Sequence, residues 1–226
     1  MMKKLLLSSC IMAMAMSASQ TLAAEESQFT TSGVMMGLSN YLWRGQTISD
    51  DKPSLQADLM VEHDSGFYLG TAFETYRYED EDDVNNDYEI DYYGGYYQMV
   101  NDDLGFGFNA MKYTYGAGGY SVEYALSVDY QAMNLAVNYD QDLEAWYSEL
   151  NYAFPLFNGS SLVAHAGLFT DAEAYEFDDN GKVADTAYDV ALRYSYPLLS
   201  QLDLMLEASY HEFNDDHYMI GLAYNF

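Results

Sequence analysis

The chain has 226 residues, with 36 Asp or Glu against 8 Lys or Arg and a formal net charge of −28. That balance argues against a nucleic-acid partner, because affinity there comes from basic side chains neutralising phosphates. Half of the residues are hydrophobic and 24 are Tyr, which is too apolar for an acidic disordered chain, and the single cysteine, Cys10, permits neither a disulfide framework nor a thiolate zinc site.

Residues 1–24 read as a cleaved signal peptide. Lys3 and Lys4 supply the positive start, and Leu5 to Met16 supply an apolar stretch shorter than the roughly 20 residues of a membrane-spanning helix. Thr21-Leu22-Ala23-Ala24 offers small residues for cleavage after Ala23 or Ala24. Leu7-Ser8-Ser9-Cys10 resembles a lipoprotein box, but only Leu5 to Leu7 would precede it as apolar region. Beyond the signal the basic residues reduce to Arg44, Lys52, Arg77, Lys112, Lys182 and Arg193, and no second long apolar run follows.

Beyond the signal, alternation at period two dominates, which is the signature of strands with two unlike faces. In Tyr120 to Tyr130 one face carries Val122, Tyr124, Leu126 and Val128, and the other Ser121, Glu123, Ala125, Ser127 and Asp129. Tyr188 to Tyr196, Leu202 to Tyr210 and Tyr218 to Phe226 repeat the arrangement. Such segments run about 9 to 11 residues, the length that crosses a bilayer at a tilt. Their apolar faces end in Tyr, Phe or Trp, as the aromatic girdles of membrane barrels do.

Twelve segments are predicted, at about 29–43, 54–62, 67–76, 88–99, 104–114, 120–130, 135–140, 145–155, 161–169, 186–197, 202–211 and 216–226. Short turns alternate with longer polar connections, the longest being Arg44 to Pro53, Arg77 to Asp87 and Thr170 to Asp185. The expected fold is therefore all-β: an antiparallel up-and-down transmembrane barrel of about 12 strands, residues 25–226, in the outer membrane of a Gram-negative bacterium. Phe226, closing an amphipathic segment, is the expected membrane-insertion signal for the barrel-assembly machinery.

With the apolar faces turned to lipid, the opposite faces point inward. The candidate pore-lining residues are Arg44, Asp58, Glu62, Glu74, Asp91, Glu123, Asp129, Glu149, Asp189, Arg193, Asp203 and Glu207, with Glu89 on the same face. Rings of acidic side chains favour cations, so the expected function is passive diffusion of small, preferably cationic, solutes. Inward Met60, Tyr68, Met205 and Met219 could instead close the lumen. The alternative is a non-conducting barrel whose acidic outer loops bind divalent ions or, through them, lipopolysaccharide.

Glu79, Asp80, Glu81, Asp82, Asp83 and Asp87 crowd one predicted loop and are candidate ligands for Ca²⁺ or Mg²⁺, which take oxygen donors. Glu176 to Gly181 mimics the front of a calcium loop, but Ala187 stands where a Glu is needed, and Asn180-Gly181 reads as a turn. No nucleophile–base constellation has motif spacing, so neither an enzyme nor a cofactor is expected.

Ser39-Asn40-Tyr41-Leu42-Trp43-Arg44-Gly45, then Lys52-Pro53-Ser54-Leu55-Gln56 and Ser65-Gly66-Phe67-Tyr68, resemble the TorF-family porins. The resemblance spans about 35 residues and implies an exported outer-membrane barrel of this size. It implies no substrate. Arg44-Gly45 would then end the first strand at the outer rim, with Arg44 near lumen acids, and Pro53 would start the second, where a missing N–H is harmless.

Overall fold

Extended segments that are apolar on one face and polar on the other can satisfy every backbone group in a membrane only by pairing into a closed sheet. The computed structural model, which describes residues 27–80, 83–177 and 183–226, has this architecture. Its strands are β1 (Phe29–Leu38), β2 (Leu42–Trp43), β3 (Gln46–Thr47), β4 (Ser54–His63), β5 (Phe67–Asp80), β6 (Asp83–Met99), β7 (Leu104–Tyr115) and β8 (Tyr120–Tyr130). They continue as β9 (Met133–Asp140), β10 (Ala145–Pro155), β11 (Ser161–Thr170), β12 (Ala187–Leu199), β13 (Leu202–His211) and β14 (Asp215–Asn225).

Twelve of these, β1 and β4 to β14, form one closed antiparallel barrel in sequence order. β1 pairs with β4 along its whole length and with β14 from Val34↔Asn225 to Leu38↔Gly221. The seam continues through reciprocal backbone hydrogen bonds between Gly33 and Phe226, at 2.9 and 3.0 Å. Closure removes both sheet edges.

The outer surface is apolar and banded. Leu55, Leu69, Leu126, Leu135, Val190, Leu192 and Ile220 are exposed on it. Phe67, Phe106, Tyr130, Tyr152 and Tyr224 ring the end with the short turns, and Tyr88, Tyr120, Trp146, Tyr188 and Tyr218 ring the other. Rings with a polar tip prefer the lipid–water boundary, so two belts separated by aliphatic residues mark a bilayer's width.

Four expectations are corrected. The first strand ends at Leu38, not at residue 43, because residues 39–53 make their own hydrogen-bond set. The Asn40 side-chain oxygen accepts from Thr47 and Ser49 at 2.7 and 3.0 Å, its amide donates to Asp51 at 2.6 Å, and the Tyr41 N–H donates to the Ser49 hydroxyl at 2.8 Å. The β2–β3 hairpin turns through Arg44 and Gly45 with φ of 49° and 77°, the positive φ that tight hairpins demand. Instead of standing at the rim, Arg44 lies folded into the barrel and is 5% exposed. A Cβ at Gly45 would come within 2.6 Å of the Asp189 Cβ, so the hairpin tip is pressed against the wall of β12.

The acidic stretch around residues 79–87 is strand on both sides rather than a loop. β5 and β6 stay paired from Phe67↔Tyr96 to Asp80↔Asp83, and at 14 and 17 residues they outreach the 10 or 11 of most neighbours. Beyond the bilayer a strand needs no apolar face, so charge there does not end it. The connection after β11 is less polar than its sequence indicates: a short 3₁₀ turn (Glu173–Tyr175) brings Ala172 and Phe177 inward, where both are buried. The signal segment, residues 1–24, and the Asn180-Gly181 turn lie outside the described residues.

Candidate functional site

The inward faces divide into apolar and polar sectors. Met60, Tyr68, Tyr93, Tyr97 and Met111 pack together inside β4 to β7, and Val34, Met36, Leu38, Met205, Met219 and Ala223 pack around the seam. Thus all four side chains named as potential obstructions, Met60, Tyr68, Met205 and Met219, point inward and are buried. Between these sectors the interior is polar.

The inward loop is fastened at Arg44. Its guanidinium donates to the Glu123 Oε2 on β8 at 2.6 Å, and the Tyr113 hydroxyl donates to the other Glu123 oxygen at 3.2 Å. The same guanidinium lies 4.4 Å from the Trp43 ring centroid and 4.2 Å from that of Tyr147, so two aromatic faces also receive its charge. Burial works against the proton on Arg44, but Glu123 together with the surrounding Tyr113, Tyr175 and Tyr147 outweighs it and holds the group above its ordinary range. Trp43, Phe169, Tyr175 and Phe177 close over this loop as an aromatic cluster.

Beneath it, β4 to β6 bring four acids to one patch. Register sets Glu74 directly opposite Glu89, and the neighbouring inward positions hold Asp91 and Asp58. The Tyr93 hydroxyl donates to Asp58 at 2.8 Å. Glu74 is 0% exposed, and among the described residues neither of its carboxylate oxygens has a hydrogen-bond partner; one oxygen of Asp91 is in the same condition. Burial, and then the nearby charges of Glu74, Glu89 and Asp91, push the phenol of Tyr41 in the inward loop well above its ordinary value. Tyr41 lines the same space as Asp58, Glu74 and Asp91.

On the opposite wall the Tyr147 hydroxyl lies 3.0 Å from both Asp189 and the His165 Nε2, and that nitrogen lies 2.9 Å from the second Asp189 oxygen. The His165 Nδ1 lies 2.8 Å from the Asn151 side-chain oxygen, while the Asn151 amide donates to Glu149 at 3.0 Å. Arg193 donates to Glu207 at 3.1 Å, across a direct β12–β13 register pair. Near the short turns, Asp129 accepts from Asn134 at 2.9 Å and Asp203 from Asn225 at 3.0 Å.

The pore-lining candidates thus lie inside the barrel in several separate groups. Arg44 joins Glu123; Asp58, Glu74 and Asp91 share a patch; Glu149 and Asp189 flank His165; Arg193 joins Glu207; Asp129 and Asp203 lie at the turn end, each beside an asparagine. Glu62, at the foot of β4, is half-buried. Sequence reasoning passed over Tyr41, Trp43, Tyr113 and Tyr147, which supply the aromatic faces and hydroxyls of the interior. Asp87 accepts from the Tyr76 hydroxyl at 3.2 Å. The side chains of Glu79, Asp80 and Asp83, and all of Glu81 and Asp82, lie outside the described residues. Among the described residues no group of His, Asp or Glu has the geometry to hold a metal ion.

A closed twelve-strand barrel with an apolar outer band and a polar interior is the fold of outer-membrane porins and channels. Residues 22–194 match the model of a family described as "Bacterial protein of unknown function (Gcw_chp)", and the chain belongs to that family. Among solved structures it is similar to the KdgM porin at 10% identity, with a TM-score of 0.59 over 86% of this chain and 99% of that one. That porin has also been solved in complex with disordered oligogalacturonate. The chain is similar too to the NanC porin, at 12% identity and a TM-score of 0.54 over 85% and 98% of the two chains. A third match is the COG4313 outer membrane channel from Pseudomonas putida F1, at 12% identity and a TM-score of 0.55 over 86% and 94%. No curated protein matches the chain in sequence.

Proposed function

We propose that the protein is a porin-like channel of the outer membrane that passes small cationic solutes through an acidic, constricted interior. The motif resemblance to TorF-family porins supports the same reading. One observation carries it. Among the described residues the buried arginines are Arg44 and Arg193, whereas eleven Asp and Glu are buried, Asp58, Glu74, Glu89, Asp91, Glu123, Asp129, Asp140, Glu149, Asp189, Asp203 and Glu207. Interior carboxylates in such excess attract cations and repel anions. An oligogalacturonate, which the KdgM porin accommodates, is a polyanion and would meet the wrong sign here.

The test is current through the refolded mature protein in a planar bilayer under a KCl gradient. Stable channels whose reversal potential shows K⁺ preferred over Cl⁻ are expected. Channels without that preference overturn the acidic conduit.

A second reading, a non-conducting barrel, is favoured by the burial of Met60, Tyr68, Met205 and Met219 inside the wall. Folded protein, verified by a gel shift between unboiled and boiled samples, that gives no current would establish it. Attention would then pass to divalent ions and lipopolysaccharide at the outer loops.

A further inference from the structure

We infer that the cavity at the foot of the inward loop is a binding site for a small organic cation, an alkylammonium or guanidinium; this deepens the channel reading above and rests on its acidic interior. The empty space there, counted together with the open solvent it joins, comes to about 550 Å³. Its wall includes five carboxylates, Asp58, Glu74, Asp91, Glu123 and Glu149, against one cation, Arg44. Arg44 is committed to Glu123 at 2.6 Å, and Glu149 accepts from Asn151. Asp58 accepts from the neutral hydroxyl of Tyr93. Among the described residues nothing donates to either oxygen of Glu74, although it is fully buried, and one buried oxygen of Asp91 has no partner. A buried carboxylate with no donor is costly to keep, and a ligand that brings N–H donors and positive charge supplies what is missing.

The remaining walls say which kind of cation. Tyr41, Trp43, Tyr93 and Tyr113 line the same space. Aromatic faces attract cations through the ring quadrupole, and they suit ions that carry apolar groups rather than a tight hydration shell. The protein supplies its own precedent at the edge of this cavity. The Arg44 guanidinium is held by one carboxylate and two rings, at 4.4 Å from the centroid of Trp43, which lines the cavity, and 4.2 Å from that of Tyr147 behind it. A second cation at Glu74 and Asp91 would meet the same combination.

The test is calorimetric titration of n-butylammonium chloride into the full mature protein, folded in detergent micelles. Saturable binding of one ion per barrel is expected, with no displacement by an equal concentration of KCl. Glu74→Gln combined with Asp91→Asn should weaken it roughly a hundredfold, as the loss of two charge-assisted contacts does. Trp43→Leu should weaken it about tenfold. The gel shift on boiling verifies that each variant is folded. Absent binding by the folded wild type, unchanged affinity in the double variant, or displacement by equal KCl would each overturn the site. Bilayer currents keep the two readings apart. Binding without current retains the site and sinks the channel, whereas a K⁺-preferring current without binding does the reverse.

Discussion

Arg44 in the inward loop and Glu123 on the wall of β8, 79 positions apart in the chain, meet at 2.6 Å with both side chains buried. Breaking one side of such a pair strands a charge, at a cost of about 3–5 kcal/mol, whereas replacing both partners by apolar groups costs far less. Arg44→Ala should therefore release the loop more than Arg44→Met with Glu123→Leu. Limited proteolysis within residues 39–53 reads this directly. The single variant should be cut faster, and in a bilayer it should conduct more and prefer cations more strongly. Equal cutting of the two variants would mean that the aromatic contacts alone hold the loop.

Glu74 and Glu89 face each other across the β5–β6 ladder, and among the described residues no Lys or Arg forms an ion pair with either. Like charges directly opposite destabilise a sheet by up to about 1 kcal/mol. Glu74→Gln keeps the shape, removes the repulsion and gives Glu89 a donor. The urea midpoint of the folded barrel should rise. A fall would show that the carboxylate is already compensated in the native protein.

Gly167 lies beneath the Tyr147, His165 and Asp189 set, and an added Cβ would collide with the Tyr147 hydroxyl and an Asp189 oxygen. Tyr147 is 1% exposed and cannot swing away. Gly167→Ala should cost about 1–3 kcal/mol, the usual penalty for overpacking. A lowered temperature for loss of the gel shift checks it, and an unchanged temperature would count against the tight packing of this wall.

Burial, partly opposed by Arg44, pushes the Tyr175 phenol up to about 12, above the value near 10 of an unfolded tyrosine. A folded value above the unfolded one favours the protonated form. The contribution of Tyr175 is thus fully present below about pH 10 and is lost as pH climbs to about 12. The Trp43 ring lies 6.2 Å from it and reports on the loop. Wild-type fluorescence should shift to the red over this interval, and Tyr175→Phe should reduce the shift. An identical alkaline transition in both would assign it elsewhere.

Strand rhythm was legible because each inward residue is flanked by two outward ones, and lipid tolerates no charge on the outward set. Tyr120 to Tyr130 needed nothing more to be placed, as its register with β7 and β9 shows. The pattern misled where lipid is absent. Tyr41-Leu42-Trp43 looks like a continuation of the first barrel strand because its apolar groups are core to a loop rather than to a bilayer, and the informative signals are the polar Asn40 and Ser49 beside Gly45. Residues 79–87 looked like loop because their charge was weighed and their pairing could not be. The interior groups were legible as a list of acids. Their partition was not, since which acid meets Arg44 or His165 depends on strand register and on how deeply the loop enters.

The seam between β1 and β14 also orders events during biosynthesis. β1 is among the first segments made, yet one of its edges has no strand to pair with until β14 has been made. Every shorter product of translation therefore displays a bare strand edge beside apolar side chains, the surface that proteases and holding chaperones capture. Closure of the ring thus doubles as a check on completeness: only a chain that has delivered both flanks of the seam can conceal its own edges.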